Sequence, residues 1–557
     1  MHRVKWKLYT NFTTGDHLFK MIPCYKFDSM RNLLFILLII SSIATKAQWP
    51  VVYGQEYYWA YPNQTRETYD KGFIVTFDYQ HNPGMAYNSA LLKVDINGNL
   101  LWKKVMANQS KYMQIRGLDV DHDGGVIISG RTCINNDLPD AFVMKLNACM
   151  QPEWCNIYST PDLEDLAGEI IFLPFEDTYI LSLTNSDSEE RVQLMKIDSS
   201  GHTLWRNVYA NNPDYISELP IGLEYSALDT SVILSAFVYA YEDSSGMYCA
   251  QPYWSKINTY GDFLWELYHI PDTSFTYGIA RRRPLLTNNG NIIAPAVTSY
   301  NSHLVSIGKY GNYEWIRTLY QPDTAIAIVV NSASILNDNV YLGVQYFNNG
   351  FDPIGKGALQ KNDTLGNFID EVVLPVDFTS TIFDICNSFD NKLLITAGHD
   401  MSLEDFMLIK YNENLEYDSV YTYPYIYDSL CPGGITSGSI EMACDVITGI
   451  GNEIKKGLST LKLAPNPADE YTVVYLPETV ATKEIQGVFN VTTYRSDYVK
   501  NLSMDIYNIY GHQVYSSPWP DQIKEKVLNI SDWKPGIYMI RIFNSEQIIS
   551  TGKLLVK

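Results

Sequence analysis

Three carboxylates at alternate positions, Asp119, Asp121 and Asp123, run into Gly124 as Asp-x-Asp-x-Asp-Gly. Oxygen ligands at that spacing, with a glycine to permit a tight loop, suit Ca2+, and this run is the metal candidate of the chain. The twelfth position of such a loop, where a bidentate carboxylate belongs, is Gly130, so a solvated turn competes with the calcium reading. No GxSxG, HExxH, P-loop or strand-borne GxGxxG occurs, and the cysteines and histidines lack zinc-ligand spacing. His122-Asp123 and His399-Asp400 fall at strand ends, where surface polar pairs are common. The adjacent Glu164 and Asp165 would serve glycosidase or lyase chemistry only with a partner about 5 to 10 Å away, and otherwise read as a solvated acidic loop. No catalytic or cofactor-binding residue is assigned, and Ca2+ is the sole cofactor considered.

The elements that must position any site are strands, and they repeat. Segments such as "LLKVDINGNLLWKKV", "LMKIDSSGHTLWRNVY" and "SKINTYGDFLWELYH" recur about every 50 residues. The aromatic falls at Trp102, Trp154, Trp205, Trp265 and Trp315, then degenerates at Asp370 and Tyr417. Most copies read as a hairpin, and in four the turn opens on Asx and closes on a left-handed Gly: Asp95 to Gly98, Asp198 to Gly201, Asn258 to Gly261 and Asp363 to Gly366. Met150 replaces that Gly in the second copy, and the shorter copy around Asn412 is expected to turn differently. Ahead of each hairpin lies a Val/Ile/Tyr-rich strand such as "DGGVIISGR", and ahead of that a weaker one. Four strands per unit and seven units predict an all-β chain, a seven-bladed β-propeller followed by a small C-terminal β-sandwich. The repeated Trp is then a blade-to-blade packing residue. The repeat resembles the Trp-containing propeller repeats of exported bacterial proteins over about residues 62 to 422, a resemblance that carries no activity.

The chain has 557 residues and a formal net charge of −21, a poor match to nucleic acid, whose binding needs clustered cations. The apolar run Leu33 to Ile40 is short for a membrane span. Read from Met30, with Arg31 before the run and Thr45 and Ala47 after it, the segment has the pattern of a secretory signal peptide cleaved after Ala47. Residues 1–47 are thus extension and signal peptide, 48–430 the propeller, 431–460 a bridge or closing segment, and 461–557 a separate module. No transmembrane anchor remains in the mature form.

Export permits disulfides. Cys149 and Cys155 flank "CMQPEWC", and Cys431 and Cys444 flank "CPGGITSGSIEMAC", so each pair could close a short loop. Cys133, Cys249 and Cys386 have no assigned pairing.

The tail offers "APNPA" (Ala464 to Ala468), "MDIYNIYG" (Met504 to Gly511), "WKPGIYMIRI" (Trp533 to Ile542) and "GKLLVK" (Gly552 to Lys557). In this order at the C-terminus the blocks closely resemble the type A sorting domain of the bacterial type IX secretion system. Pro465, Asn466, Pro467, Gly511, Gly536 and Lys557 carry the match, with Gly511 and Gly536 read as turn residues. The resemblance implies Sec export, recognition by the outer-membrane translocon, and commonly removal of the tail with attachment to surface lipopolysaccharide. An extra segment between Glu478 and Asn501 lengthens the module relative to that pattern.

The expected function is a secreted or cell-surface scaffold that binds an extracellular protein or glycan through loops of one rim without catalysis. The alternative is an extracellular glycan hydrolase or lyase with its site at the channel mouth.

Overall fold

The computed structural model describes residues 49–107, 112–133, 138–160, 163–185, 192–209, 215–240, 250–268, 283–297, 302–323, 325, 327–347, 357–375, 381–398, 405–423, 425–448, 459–475, 502–508, 512–519, 525–543 and 548–557. Val, Ile, Tyr and Phe at alternating positions between Asx- and Gly-containing turns give strands throughout, and the described residues contain no helix. Seven antiparallel sheets follow one another: blade 1 over 59–107, blade 2 over 113–159, blade 3 over 165–208, blade 4 over 215–268, blade 5 over 285–318, blade 6 over 327–373 and blade 7 over 382–411. The innermost strand of each blade touches that of the next, and Ile382–Ser388 of blade 7 touches Trp59–Glu67 of blade 1, so the ring closes. The chain is an all-β seven-bladed propeller with a C-terminal β-domain.

Each hydrophobic cluster of the ring spans neighbouring blades. Ile74 and Leu91 of blade 1 pack with Ile115, Val126 and Phe142 of blade 2, and Ile171 and Ile180 of blade 3 with Leu223 and Val232 of blade 4. One sheet has two apolar faces and can cover neither alone, so burial is supplied by the neighbours.

The hairpin motif adds a second device. The indole N–H of Trp154 donates to Ser199 O at 2.7 Å in the next blade's turn, as Trp205 does to Thr259 O at 3.2 Å and Trp265 to Lys309 O at 3.0 Å. Gly201, Gly261 and Gly311 of those turns lie so close under the rings that a Cβ would fall within about 3.4 Å of an indole carbon, which explains glycine there beyond its left-handed φ. The repeated Trp is a blade-to-blade packing residue. The motif's Lys is buried and paired with an acid of its own blade's first turn: Lys93 with Asp70 at 2.8 Å, Lys256 with Asp229 at 2.7 Å, Lys410 with Asp390 at 2.9 Å, and Lys145 with Asp121.

Two expectations about the last blade are corrected. Its outer strand is Val51–Tyr53 from the N-terminal side, which pairs with Phe406–Tyr411, and the residue in the aromatic slot is Trp49, whereas Tyr417 makes only an isolated bridge to Tyr411. The turn around Asn412 does not differ from the others. Leu415 N bonds Asn412 O at 3.0 Å as Gly98 N bonds Asp95 O, with Leu415 at φ 62° in the glycine position.

From Tyr421 to Thr448 the chain runs as a strap. Tyr421 N bonds Asn97 Oδ1, Asp428 N bonds Asp70 Oδ2 and Trp102 Nε1 donates to Asp428 Oδ2, all on blade 1. Gly438–Glu441 then adds a parallel strand to the outer edge of blade 1, and Asp445–Thr448 adds one to blade 2. Two bare sheet edges are thereby covered.

The C-terminal domain has a five-stranded sheet, in the order 459–460, 548–556, 536–543, 503–508, 513–518, and a three-stranded one of 462–464, 471–475 and 525–529. Met504, Ile506, Leu528, Ile540 and Leu554 lie in its common core.

Candidate functional site

The propeller has two unlike ends. The first-to-second and third-to-fourth strand turns, such as 68–72 and 95–98, make one end; the second-to-third connections and the links between blades make the other, here called the upper face. At the upper face the inner strands of blades 7, 1 and 2 begin. Strand alternation puts Trp59 and Tyr61 on one side of the same strand, and their rings stack at 5.3 Å and 15°. Phe383 of blade 7 meets Tyr61 edge-on at 4.3 Å. Tyr87, at the end of the loop before the third strand of blade 1, meets Trp59 at 4.9 Å, and Tyr112, at the start of blade 2, meets Tyr87 at 6.1 Å. Five aromatic rings from three blades thus form one continuous strip, with Phe383 buried and the other four half-buried.

The strip ends on charge. The guanidinium of Arg131 lies 5.3 Å above the Tyr112 ring. Gln114 Oε1 accepts from Arg131 Nε at 2.9 Å, from Arg131 Nη2 at 2.6 Å, from Arg116 Nη2 at 2.5 Å and from the Tyr112 hydroxyl. Arg116 Nη1 reaches Asn63 Oδ1 at 3.4 Å and stands 4.0 Å from Asp78 Oδ2. Asp78 is fully buried and accepts from Ser89 Oγ; burial pushes its pKa up against the pull of Arg116.

Deeper, side chains meet across the axis. Six of the seven inner strands carry a β-bulge, and in blade 3 the bulge between Ala167 and Ile170 contains Glu169. Glu169 accepts from Gln64 Nε2 of blade 1 at 3.1 Å, from Leu223 N of blade 4 at 2.7 Å and from Arg283 beside blade 5. Arg66 of blade 1 stands 3.6 Å from Glu169, 3.8 Å from Asp119 of blade 2 and 3.4 Å from Asp384 of blade 7. The network, with the Leu223 N–H bond to Glu169, joins groups from six blades. Glu224 beside it has a pKa pushed up to about 7 by burial, with Arg283 opposing the shift and Glu169 adding to it.

Of the residues singled out by sequence, Asp119 belongs to this network and the others lie elsewhere. The Asp119, Asp121 and Asp123 carboxylates do not converge, which corrects the calcium candidate. Asp121 pairs with buried Lys145 and accepts from Gly125 N, Asp119 faces Arg66 and accepts from Phe172 N, and Asp123 meets His122 at the surface. The strand ends at Val120, so Asp119 keeps its strand-face orientation while Asp121 and Asp123 belong to the turn that follows, and the shared face that alternate positions would give is lost. Among the described residues no group of three His, Cys, Asp or Glu could hold a metal ion. His122 stacks on Phe172 of blade 3 at 5.5 Å; His399 and Asp400 lie outside the described residues. The solvated-loop reading fails for Asp165, which is buried, stands 3.7 Å from Arg206 and has a pKa raised by burial.

The four cysteines Cys149, Cys155, Cys431 and Cys444 do form two disulfides, but crossed: Cys149 with Cys431 and Cys155 with Cys444, at Cα separations of 5.0 and 4.4 Å. The strap lies along blade 2, so each cysteine meets one 282 or 289 residues away and not its near neighbour. Cys386 is free, and Cys249 lies outside the described residues.

In the tail, the Asn466 amide donates to Lys553 O at 2.7 Å and accepts from Leu555 N at 2.8 Å, and Pro465 O accepts from Thr472 Oγ1 at 2.8 Å. Asn466-Pro467 is a cis peptide bond, as is Ala464-Pro465. Lys557 N bonds Ala468 O at 3.0 Å. Gly536 opens a strand and is not a turn residue, and Gly511 lies outside the described residues, as does the segment read as a signal peptide.

Sequence reading named no member of the aromatic strip, and of the ion network only Asp119, which it read as a calcium ligand. One signal was present: Trp59 stands outside the repeat's aromatic slot and alternates with Tyr61.

Residues 462–557 match the secretion system C-terminal sorting domain. The chain is therefore exported by type IX secretion, to the cell surface or beyond, and its tail is read by that system. No curated protein matches the sequence. Among solved structures the chain is similar to prolyl oligopeptidase B from Galerina marginata, at 8% identity over 67% of this chain with a TM-score of 0.41. It spans only 52% of that protein's length. It is also similar to the β-propeller domain of the trilobed protease from Pyrococcus furiosus, at 9% identity over 66% of this chain and 97% of that one, TM-score 0.39. A polysaccharide lyase of family 25, an ulvan lyase, matches at 10% identity over 64% of this chain and 95% of that one, TM-score 0.41. Among the described residues no helix is long and apolar enough to cross a membrane.

Proposed function

We propose that the propeller is an extracellular glycan-binding module that holds sugar rings on the aromatic strip of its upper face. The observation that carries this reading is the continuity of Phe383, Tyr61, Trp59, Tyr87 and Tyr112 over three blades. Five adjoining rings, four of them half-buried, are held by each other and by the inner strands, so they offer apolar faces at little cost in side-chain entropy. Sugar rings, with one apolar face and a rim of hydroxyls, suit such a strip bordered by Gln114 and the arginines. Asp78, the carboxylate behind Arg116, is fully buried and bonded by Ser89 Oγ, so it is not offered at the surface of the strip.

The test is binding of the exported form to an array of bacterial, algal and plant oligosaccharides, with Trp59→Ala and Tyr61→Ala alongside. Binding that drops at least about tenfold in Trp59→Ala, with unchanged melting temperature, is expected for loss of a stacking platform. Equal binding by the variant would place the ligand elsewhere, and turnover of a bound glycan would replace this reading with the hydrolase or lyase alternative.

A further inference from the structure

Most of the molecule is acidic, with a formal net charge of −21, yet the aromatic strip ends on two guanidinium groups turned toward one neutral oxygen. Gln114 Oε1 has two lone pairs, and four donor atoms from Arg116, Arg131 and Tyr112 point at it. Each guanidinium carries five N–H donors, so an amide oxygen leaves most of that capacity unused. Among the described residues neither arginine has a carboxylate in bidentate contact. Asp78 reaches only Arg116, at 4.0 Å, from a fully buried position. Arg116 keeps 35% of its side chain exposed, and Arg131 is half-buried over Tyr112. Two fixed, under-used forks beside a stacking surface make a ready receptor for a planar or tetrahedral oxyanion.

We infer that Arg116 and Arg131 select an acidic glycan, by taking the carboxylate or sulfate group of a sugar that stacks on Tyr87 and Tyr112. This rests on the glycan-binding reading above and adds a ligand class to it. The two guanidiniums are positioned before binding, since Arg131 lies on the Tyr112 ring and both share the Gln114 acceptor, so the ligand does not have to order them. The surrounding negative charge sharpens selection: an acidic polymer is repelled by most of the surface and held only where the arginines stand.

The experiment compares matched pairs that share a backbone: oligogalacturonates with their methyl esters, alginate oligomers with their carboxyl-reduced forms, and sulfated galactan oligomers with desulfated ones. Wild type is expected to prefer the charged member of at least one pair by about tenfold or more, with the preference shrinking between about 50 and 500 mM NaCl. Whether the carboxylate or the sulfate pairs show it identifies the source of the anion. Arg116→Gln/Arg131→Gln should erase the preference, bringing charged and neutral members to equal affinity, with an unchanged melting temperature reporting that the fold is intact. Arg116→Lys/Arg131→Lys should retain part of it, as charge without the bidentate fork. Trp59→Ala should weaken both members together. Equal binding of charged and neutral members by wild type, lost in Trp59→Ala, would overturn the inference and leave glycan binding standing. A preference that survives Arg116→Gln/Arg131→Gln would also overturn it. Absence of binding to every oligomer would remove both.

Discussion

Trp49 lies over Gly98, with its ring carbons Cζ3 and Cη2 2.7 Å from where a glycine Cβ would be, and Tyr53 four residues on donates its hydroxyl to Gly98 O. The same pairing recurs inside the ring: Trp154 and Tyr158 on Gly201, Trp205 and Tyr209 on Gly261. Residues 49–53 are therefore the outer strand of blade 7 carried at the other end of the chain, and they fasten blade 7 to blade 1. Trp49→Ala should cost about 3 to 5 kcal/mol, the range for deleting a buried aromatic, and more than Trp265→Ala, whose indole is half-exposed. Urea unfolding followed by fluorescence checks this; equal midpoints for the two variants would show that closure adds nothing to the local packing.

Blade number and turn chemistry are legible in the sequence because they are local. An Asx residue three positions before Gly, with Val and Ile on either side, sets its own hairpin at Asp95 to Gly98 and Asp198 to Gly201. Closure joins residues about 350 positions apart, and strand propensity does not report a partner at that distance. A motif does: "WPVVY" at 49–53 has the Trp-x-x-x-Tyr spacing of "WCNIY" at 154–158 and "WRNVY" at 205–209. Leu415 shows the opposite limit, since a β-turn position that favours glycine is held by leucine at φ 62° in a turn that one strand enters and only the Tyr411–Tyr417 bridge follows.

The crossed disulfides make the strap part of the propeller. With Cys155–Cys444 in place, Cys149–Cys431 closes only the ring of 149–155 and 431–444, roughly 20 residues, for which the chain-entropy model gives about 3 kcal/mol before any strain or residual structure is subtracted. Cys149→Ser/Cys431→Ser should lower the melting temperature by several degrees while leaving the second disulfide formed. Peptide mapping without reductant should recover fragments joining 149 to 431 and 155 to 444. A fragment holding 149 joined to 155 would contradict the pairing.

Asn466 holds the last strand of the sorting domain from both sides, donating to Lys553 O and accepting from Leu555 N. Asn466→Ala removes two hydrogen bonds at an exposed site and should cost the domain about 1 to 2 kcal/mol. Secretion measured as the ratio of extracellular to periplasmic protein should fall, and deletion of 459–557 should leave the propeller in the periplasm. Normal secretion of Asn466→Ala, with the domain's melting temperature lowered, would show that the translocon reads the domain without needing this strand held.

The candidate site was less legible than the fold. Strip and ion network are assembled from several blades: Trp59, Tyr61 and Arg66 from the inner strand of blade 1, Tyr112 and Asp119 beside or within blade 2, Glu169 from blade 3, Glu224 from blade 4. From one blade to the next the members stand tens of residues apart in sequence and form no spacing. The bulge around Glu169 is also invisible in composition, although it is what brings that carboxylate to Arg66 and Arg283. The Asp-x-Asp-x-Asp-Gly run misled for the complementary reason: proximity along a strand is not convergence in space.

Glu224 gives the ion network a measurable pH dependence. Its pKa is pushed from 4.5 to about 7 by burial, with Arg283 and Arg66 pulling it down and Glu169 and Asp119 pushing it up. Below about pH 4 the carboxyl is protonated folded or unfolded and contributes no difference. Between about pH 4.5 and 7 the folded chain keeps a proton that the unfolded chain releases, so stability from this group falls as pH rises and is lost above about 7. Glu224→Gln removes the titration and keeps the shape. Relative to wild type it should be near neutral at about pH 4 and more stable by about 1 to 3 kcal/mol at about pH 8, the span set by the shift and by the partial exposure of the site. Urea midpoints for both proteins at about pH 4, 6 and 8 decide it. Parallel curves would mean that Glu224 is already ionised at neutral pH and that the two arginines balance the network without it.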